Sequence, residues 1–178
     1  MSDDILGSLS SYFPKGVAED EEEKIKELFE VFQRDFCDEA NPLCIDGQGF
    51  CIKKIKYALS AFDSLPGHFN NYYETFVHII TRVNKSPKKS SDSREFRPER
   101  ANRVHWMRPI IENSSDWRIK RFKFVESNGA VREYYWYENF DYMVVTQPIS
   151  TGILLITGFC VDGSNKSHYQ NKYVKRVK

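Results

Sequence analysis

The chain has 178 residues, 40% of them apolar and 15% aromatic, enough for one sizeable core, or one core with a small helical attachment, and too little for two full domains. Its net charge is +1, but residues 1–50 hold 13 acidic and 4 basic side chains whereas residues 51–178 hold 12 and 22, a polarity that fits a basic C-terminal surface facing a polyanion, or simply two solvated faces of opposite sign. No apolar run of about 18 residues exists for a membrane span, and Met1-Ser2-Asp3-Asp4 lacks the basic start of a signal peptide, so the expectation is no membrane partner and a cytoplasmic location.

Residues 1–20 mix Ser, Gly and Asp around Leu6, Leu9, Tyr12 and Phe13 and read as a loosely held arm. From residue 20 to about 40, Ile25, Leu28, Phe29, Phe32 and Phe36 recur at three and four, the spacing of an amphipathic helix with acids in its first turn. Asp46-Gly47-Gln48-Gly49 is a turn, and further helices are expected over residues 52–64, with Ile55, Leu59 and Phe62 inward, and over residues 70–83. Residues 84–96 are Ser- and Lys-rich without apolar period, a linker or mobile loop. Pro98 suits the first turn of a helix over residues 97–113, with Ala101, Val104, Met107 and Ile111 buried and Pro109 kinking its end.

Beyond residue 113 the period changes to alternation, with strands expected over residues 117–125, 131–137, 141–147 and 152–161 and a hairpin turn at Asn128-Gly129. In the last strand Ile153, Leu155, Thr157, Phe159 and Val161 would share one face. The fold class is therefore α+β, with N-terminal helices packed on a four-stranded antiparallel meander. The organisation reads as a helical region (1–83), the linker (84–96) and an α+β domain (97–178).

Cys37, Cys44 and Cys51 lack the paired spacing of zinc ligands, and reduced thiols are expected, with a Cys44 to Cys51 bridge as the alternative. There is no phosphate-binding glycine loop, no dinucleotide fingerprint and no His-Glu-x-x-His, so neither a cofactor nor a metal is expected. The residue types that remain suit metal-free RNA cleavage, in which the 2′-hydroxyl attacks phosphorus while a base and an acid exchange protons and cations hold the anion. His105 is the candidate proton carrier and Arg97, Arg100, Arg103, Arg108, Arg118, Lys120, Arg121 and Lys123 are candidate phosphate contacts. Tyr134, Tyr135, Trp136 and Tyr137 could stack a base. Each has a plain counterpart: a packed His beside Trp106, the wet face of a sheet, and tyrosines filling a core.

The order Arg97-Pro98-Glu99-Arg100-Ala101-Asn102-Arg103-Val104-His105-Trp106, then Trp117-Arg118-Ile119-Lys120, Arg132-Glu133-Tyr134-Tyr135-Trp136, Tyr142-Met143-Val144-Val145, Leu154-Leu155-Ile156-Thr157-Gly158-Phe159 and Lys172-Tyr173 resembles the phage-associated branch of the nuclease superfamily that groups barnase, EndoU, colicin tRNases and RelE. The resemblance spans about residues 94–178, and Gly158 stands where Ala is expected. It implies a metal-independent, toxin-like endoribonuclease, cutting RNA, often tRNA, to a 2′,3′-cyclic phosphate, with an inhibitor or immunity protein as partner. The implied catalytic set is His105, Thr157 and Lys120, with Arg97, Arg100, Arg103, Arg118, Tyr135, Lys166 and Lys172 binding substrate. The alternative is a non-catalytic module of the same shape that binds nucleic acid or a host protein.

Overall fold

The computed structural model describes residues 4–84 and 93–177. Helix α1 (Glu21–Phe36) forms where the three- and four-residue spacing predicts it: Glu21, Glu22 and Glu23 face the positive end of the helix dipole, and Ile25, Leu28, Phe29, Phe32 and Phe36 are buried. The arm before it is not loose. Leu6 and Val17 are buried, Trp106 Nε1 donates to the Ser10 carbonyl at 2.8 Å, and Asn102 exchanges two side-chain hydrogen bonds with the Phe13 backbone at 2.7 and 3.0 Å.

After α1 the chain makes a small hairpin, β1 (Cys44–Ile45) and β2 (Gln48–Cys51), through Asp46 and Gly47, both at positive φ. The hairpin extends the sheet. Strands β5 (Ile119–Val125), β6 (Val131–Tyr137), β7 (Tyr142–Ile149) and β8 (Gly152–Cys160) form the expected antiparallel run, but β2 adds to β8 in parallel, giving the order β1-β2-β8-β7-β6-β5. The expected four-stranded antiparallel meander is thus a six-stranded mixed sheet. Strands of two and four residues are too short to display alternation, which is why only their turn was legible.

Residues 52–66 form no helix. Tyr57 N–H bonds the Tyr72 carbonyl and Glu74 N–H bonds the Ile55 carbonyl, each at 2.8 to 2.9 Å, so the segment runs extended against residues 72–74, with Ile55 and Phe62 more than half exposed. The helix expected over residues 70–83 is shorter: a 3-10 turn (Gly67–Asn71), then α2 (Glu74–Ile80), which passes directly into strand β3 (Thr81–Asn84). Strand β4 (Ser93–Phe96) pairs with β3 in a separate two-stranded sheet, so the flanks of the Ser- and Lys-rich tract are ordered strands, while residues 85–92 lie outside the described residues. The helix over residues 97–113 is broken into α3 (Pro98–Ala101), a 3-10 turn (Val104–Trp106) and α4 (Met107–Glu112). Pro109 falls in the first turn of α4, where an N–H has no intrahelical acceptor, so the break precedes it instead of following from it.

The sheet is covered on both faces. Against one face pack the arm, α1, α2 and α4, whose Leu6, Phe32, Phe76 and Ile110 share a single core with Tyr135, Val144 and Leu155. Residues 1–83 and 97–178 therefore meet in one apolar cluster. On the other face α5 (Lys166–Val174) lays Tyr169 and Tyr173 over Phe122, Tyr134, Trp136, Met143 and Val145. A bulge at Ile156 separates the Val145–Thr157 and Thr146–Leu155 pairs and reverses the alternation of β8. Leu155 therefore faces the helical core while Phe159 and Val161 face α5, which corrects the single-face reading of that strand.

Two glycines mark close approaches. At Gly158 the Met107 thioether and the Tyr142 hydroxyl occupy the space a β-carbon would take. At Gly152, φ is +143° and the Gly49 carbonyl sits where a β-carbon would be, so glycine is what lets β2 dock on β8. Gly152→Ala is expected to lower stability by about 2 kcal/mol or more in urea unfolding, whereas Gly163→Ala, which meets nothing, should change it little.

Candidate functional site

Strand β2 leaves β8 early: its last pair is Cys51 with Leu154, and from Leu155 onward that edge of β8 has no neighbouring strand among the described residues. Edge carbonyls need other donors. Arg100, on α3, supplies them: its Nη2 donates to the Gly158 carbonyl at 3.0 Å, to the His78 carbonyl at the end of α2 at 3.1 Å and to the Thr157 hydroxyl at 3.3 Å. The guanidinium is deeply set, and burial pulls its pKa down to about 10. Among the described residues no carboxylate lies within ion-pairing distance of Arg100 or of Arg94.

This arginine forms the floor of a cleft of about 500 Å³ between the β3–β4 hairpin and the β8–α5 junction. His78, Arg82, Arg94, Thr157 and Tyr169 line it with Arg100, and Glu99 and Asp162 stand among them. Arg94 Nη1 is held by the Thr81 hydroxyl at 3.0 Å, and Arg82 bridges the walls to Asp162 at 3.0 Å. Thr157 accepts from Arg100, so its own O–H is available to donate. Burial, then the nearby Arg94, lowers the His78 pKa below the ordinary 6.5, while Glu74, whose Oε1 is 3.8 Å from Nε2, opposes the shift. His78 is neutral at pH 7 and can accept a proton. Burial raises the Tyr169 pKa, so that hydroxyl stays protonated. A row of guanidinium groups, an acceptor imidazole and two hydroxyls can hold a phosphodiester and exchange protons with it.

Of the residues proposed from sequence, Arg100 and Thr157 meet here. His105 does not line this cleft. It sits beneath the arm, edge-on to the Tyr12 ring at 5.2 Å, with Nδ1 buried and unpartnered and its pKa lowered by burial. The expected convergence of His105 with Thr157 on one groove is corrected accordingly: the 3-10 turn carrying His105 packs on α1 and the arm. Tyr135 is fully buried in the core and has no face for a base. The remaining cations are engaged elsewhere, Arg97 with Glu95, Arg118 with Asp4 and Asp116, Lys120 with Glu138 and Lys166 with Asp141. Arg103 donates to the Glu99 carbonyl at 2.7 Å and stacks on Trp106. Lys172 donates to both Glu126 oxygens and to the Tyr134 hydroxyl, each at 2.8 Å, fastening α5 to the β5–β6 hairpin.

His78, Arg82, Arg94 and Tyr169 were not singled out from sequence. The available signal was weak: Glu74 and His78 at i, i+4 on a helix, and two arginines flanking the Ser- and Lys-rich tract. The four cysteines are free thiols, and among the described residues no three His, Cys, Asp or Glu side chains cluster closely enough to hold a metal ion. No described helix is long and apolar enough to cross a membrane. No protein-family model matches the chain, no curated protein matches it, and no solved structure matches its fold.

Two expectations follow from this geometry. His78 should titrate below 6.5 by NMR, Arg94→Ala should raise its midpoint and Glu74→Gln should lower it. Because the folded pKa lies below the unfolded one, the stabilising effect of a neutral His78 is present above the unfolded value and is lost as the pH falls from there through the folded value. Separately, Lys172→Met strands the half-buried Glu126 carboxylate and should cost about 3 kcal/mol in chemical denaturation, with partial recovery when Glu126→Gln is added.

Proposed function

We propose that the chain is a metal-independent endoribonuclease whose site is the Arg100 cleft. The observation that carries this reading is the deeply set Arg100 guanidinium, which has no described carboxylate partner and lies beside Arg94, Thr157 and a neutral imidazole. A buried cation without a counter-ion favours an anion, and the neighbouring groups match a phosphodiester. The motif resemblance to the barnase, EndoU, colicin and RelE grouping points to the same chemistry on residues Arg100 and Thr157.

In this reading Arg100 and Arg94 hold the non-bridging oxygens and Thr157 donates to one of them. His78 takes the proton of the 2′-hydroxyl as O2′ bonds to phosphorus, the P–O5′ bond breaks, and Tyr169 or water protonates the leaving oxygen, leaving a 2′,3′-cyclic phosphate. A DNA strand lacks that internal nucleophile. A second reading, a module that binds RNA without cutting it, is favoured by one observation: a single imidazole lines the cleft.

The test is incubation of purified protein with total RNA in excess EDTA. Cleavage by the wild type, lost by about a hundredfold or more in His78→Ala and little changed in His105→Ala, supports the enzyme. Intact RNA that is nonetheless retained in a filter-binding assay supports the binding module, and RNA that is neither cut nor bound overturns both.

A further inference from the structure

Helix α5 borders both the Arg100 cleft and a second groove. Asn165 and Tyr169 line the first, whereas His168, Asn171, Lys172 and Lys175 line the second, the two sets following one another at three- and four-residue steps along one stripe of the helix. The second groove, of about 530 Å³, is completed by Phe124 on β5 and Glu126 in the hairpin. Its carboxylate is already neutralised: Lys172 grips both Glu126 oxygens and lies over the Phe124 ring at 5.0 Å. Lys175 is exposed and makes no ion pair among the described residues, and the Val177 N–H bonds the Lys123 carbonyl at 2.9 Å, which pins the tail and keeps Lys175 at the groove. Helix α5 itself, Lys166–Val174, contains no acidic residue, so the stripe that joins the two grooves offers a polyanion no repulsive charge.

We infer that the substrate is an extended single strand of RNA that runs along α5, with one phosphate on Arg100 and Arg94 and the nucleotides to one side of it seated in the groove of His168, Lys172 and Lys175. This inference rests on the RNA reading of the Arg100 cleft. The lining from Asn165 to Lys175 rises about 15 Å along the helix, a span for roughly two or three nucleotides. The exposed His168 ring offers a face for an unpaired base and Lys175 a contact for its phosphate, the aromatic and cationic pairing by which single strands are held without sequence preference.

The test measures fluorescence anisotropy with labelled, non-cleavable 2′-O-methyl oligouridylates, a dinucleotide and a hexanucleotide, in EDTA over a salt series. The hexanucleotide is expected to bind about thirtyfold or more tightly, beyond what its additional registers supply. Lys175→Glu should weaken hexanucleotide binding by about fivefold and flatten its log–log salt slope by about 0.7, leaving the dinucleotide unchanged. Arg94→Glu should weaken both lengths. Dinucleotide and hexanucleotide bound alike, or a Lys175→Glu protein indistinguishable from wild type on the hexanucleotide, overturns the second groove while leaving the Arg100 cleft intact. Failure of both oligonucleotides to bind overturns the RNA reading itself, and this inference with it.

Discussion

The unpaired edge of β8 is the constraint on which the site depends. A central strand normally has neighbours on both sides, but β2 accompanies β8 only as far as Leu154. The carbonyl of Gly158 would then lack a partner in a crowded region, and a guanidinium is suited to the gap because one nitrogen can serve several acceptors in a plane. By joining Gly158, Thr157 and the C-terminal carbonyl of α2, Arg100 ties strand to helix and fixes where His78 and the β3–β4 hairpin stand. The same contacts leave a positive charge at the bottom of a cleft without a described carboxylate to balance it. A structural repair and the proposed binding site thus share one side chain.

The charge asymmetry of the chain takes on a different meaning in three dimensions. Acidic residues of the first fifty and basic residues of the sheet meet across the fold, as in Asp4 with Arg118 and Asp46 with Arg121, while other sheet and helix cations find acids nearby, as in Lys172 with Glu126 and Arg121 with Glu133. Part of the basic surface read from the sequence is therefore internal scaffolding. Partly buried pairs of this kind specify which elements meet more than they add to stability. Arg94, Arg100 and Lys175 are among the cations left without a described carboxylate partner.

Legibility follows from how local the physical signal is. Strands β5 to β8 and α1 were readable because alternation and three-four spacing report burial within a single element, and Asn128-Gly129 because a tight hairpin turn favours residues that tolerate positive φ. The bulge at Ile156 was not: one extra residue leaves composition unchanged yet moves every later side chain of β8 to the opposite face. Arg100 and Thr157 were chosen for their chemistry and do meet, whereas His105 was chosen on the same grounds and lies under the arm. His78 looked like one more residue of an amphipathic helix, because nothing along the chain announces that α2 ends at the edge of β8.

From the sequence alone came the α+β class, the antiparallel run of β5 to β8, the leading amphipathic helix and a reservoir of cations matched to phosphate. Those are properties of neighbouring residues, and periodicity and turn chemistry encode them directly. The tertiary structure decided that the sheet has six strands of mixed direction, that most of the cations proposed from sequence as phosphate contacts are struts, and that the cleft is assembled from α2, β3, β4, α3, β8 and α5. Contacts between residues 78, 94, 100 and 157 depend on where a strand loses its partner, and that is settled by long-range pairing and packing, which no local pattern records.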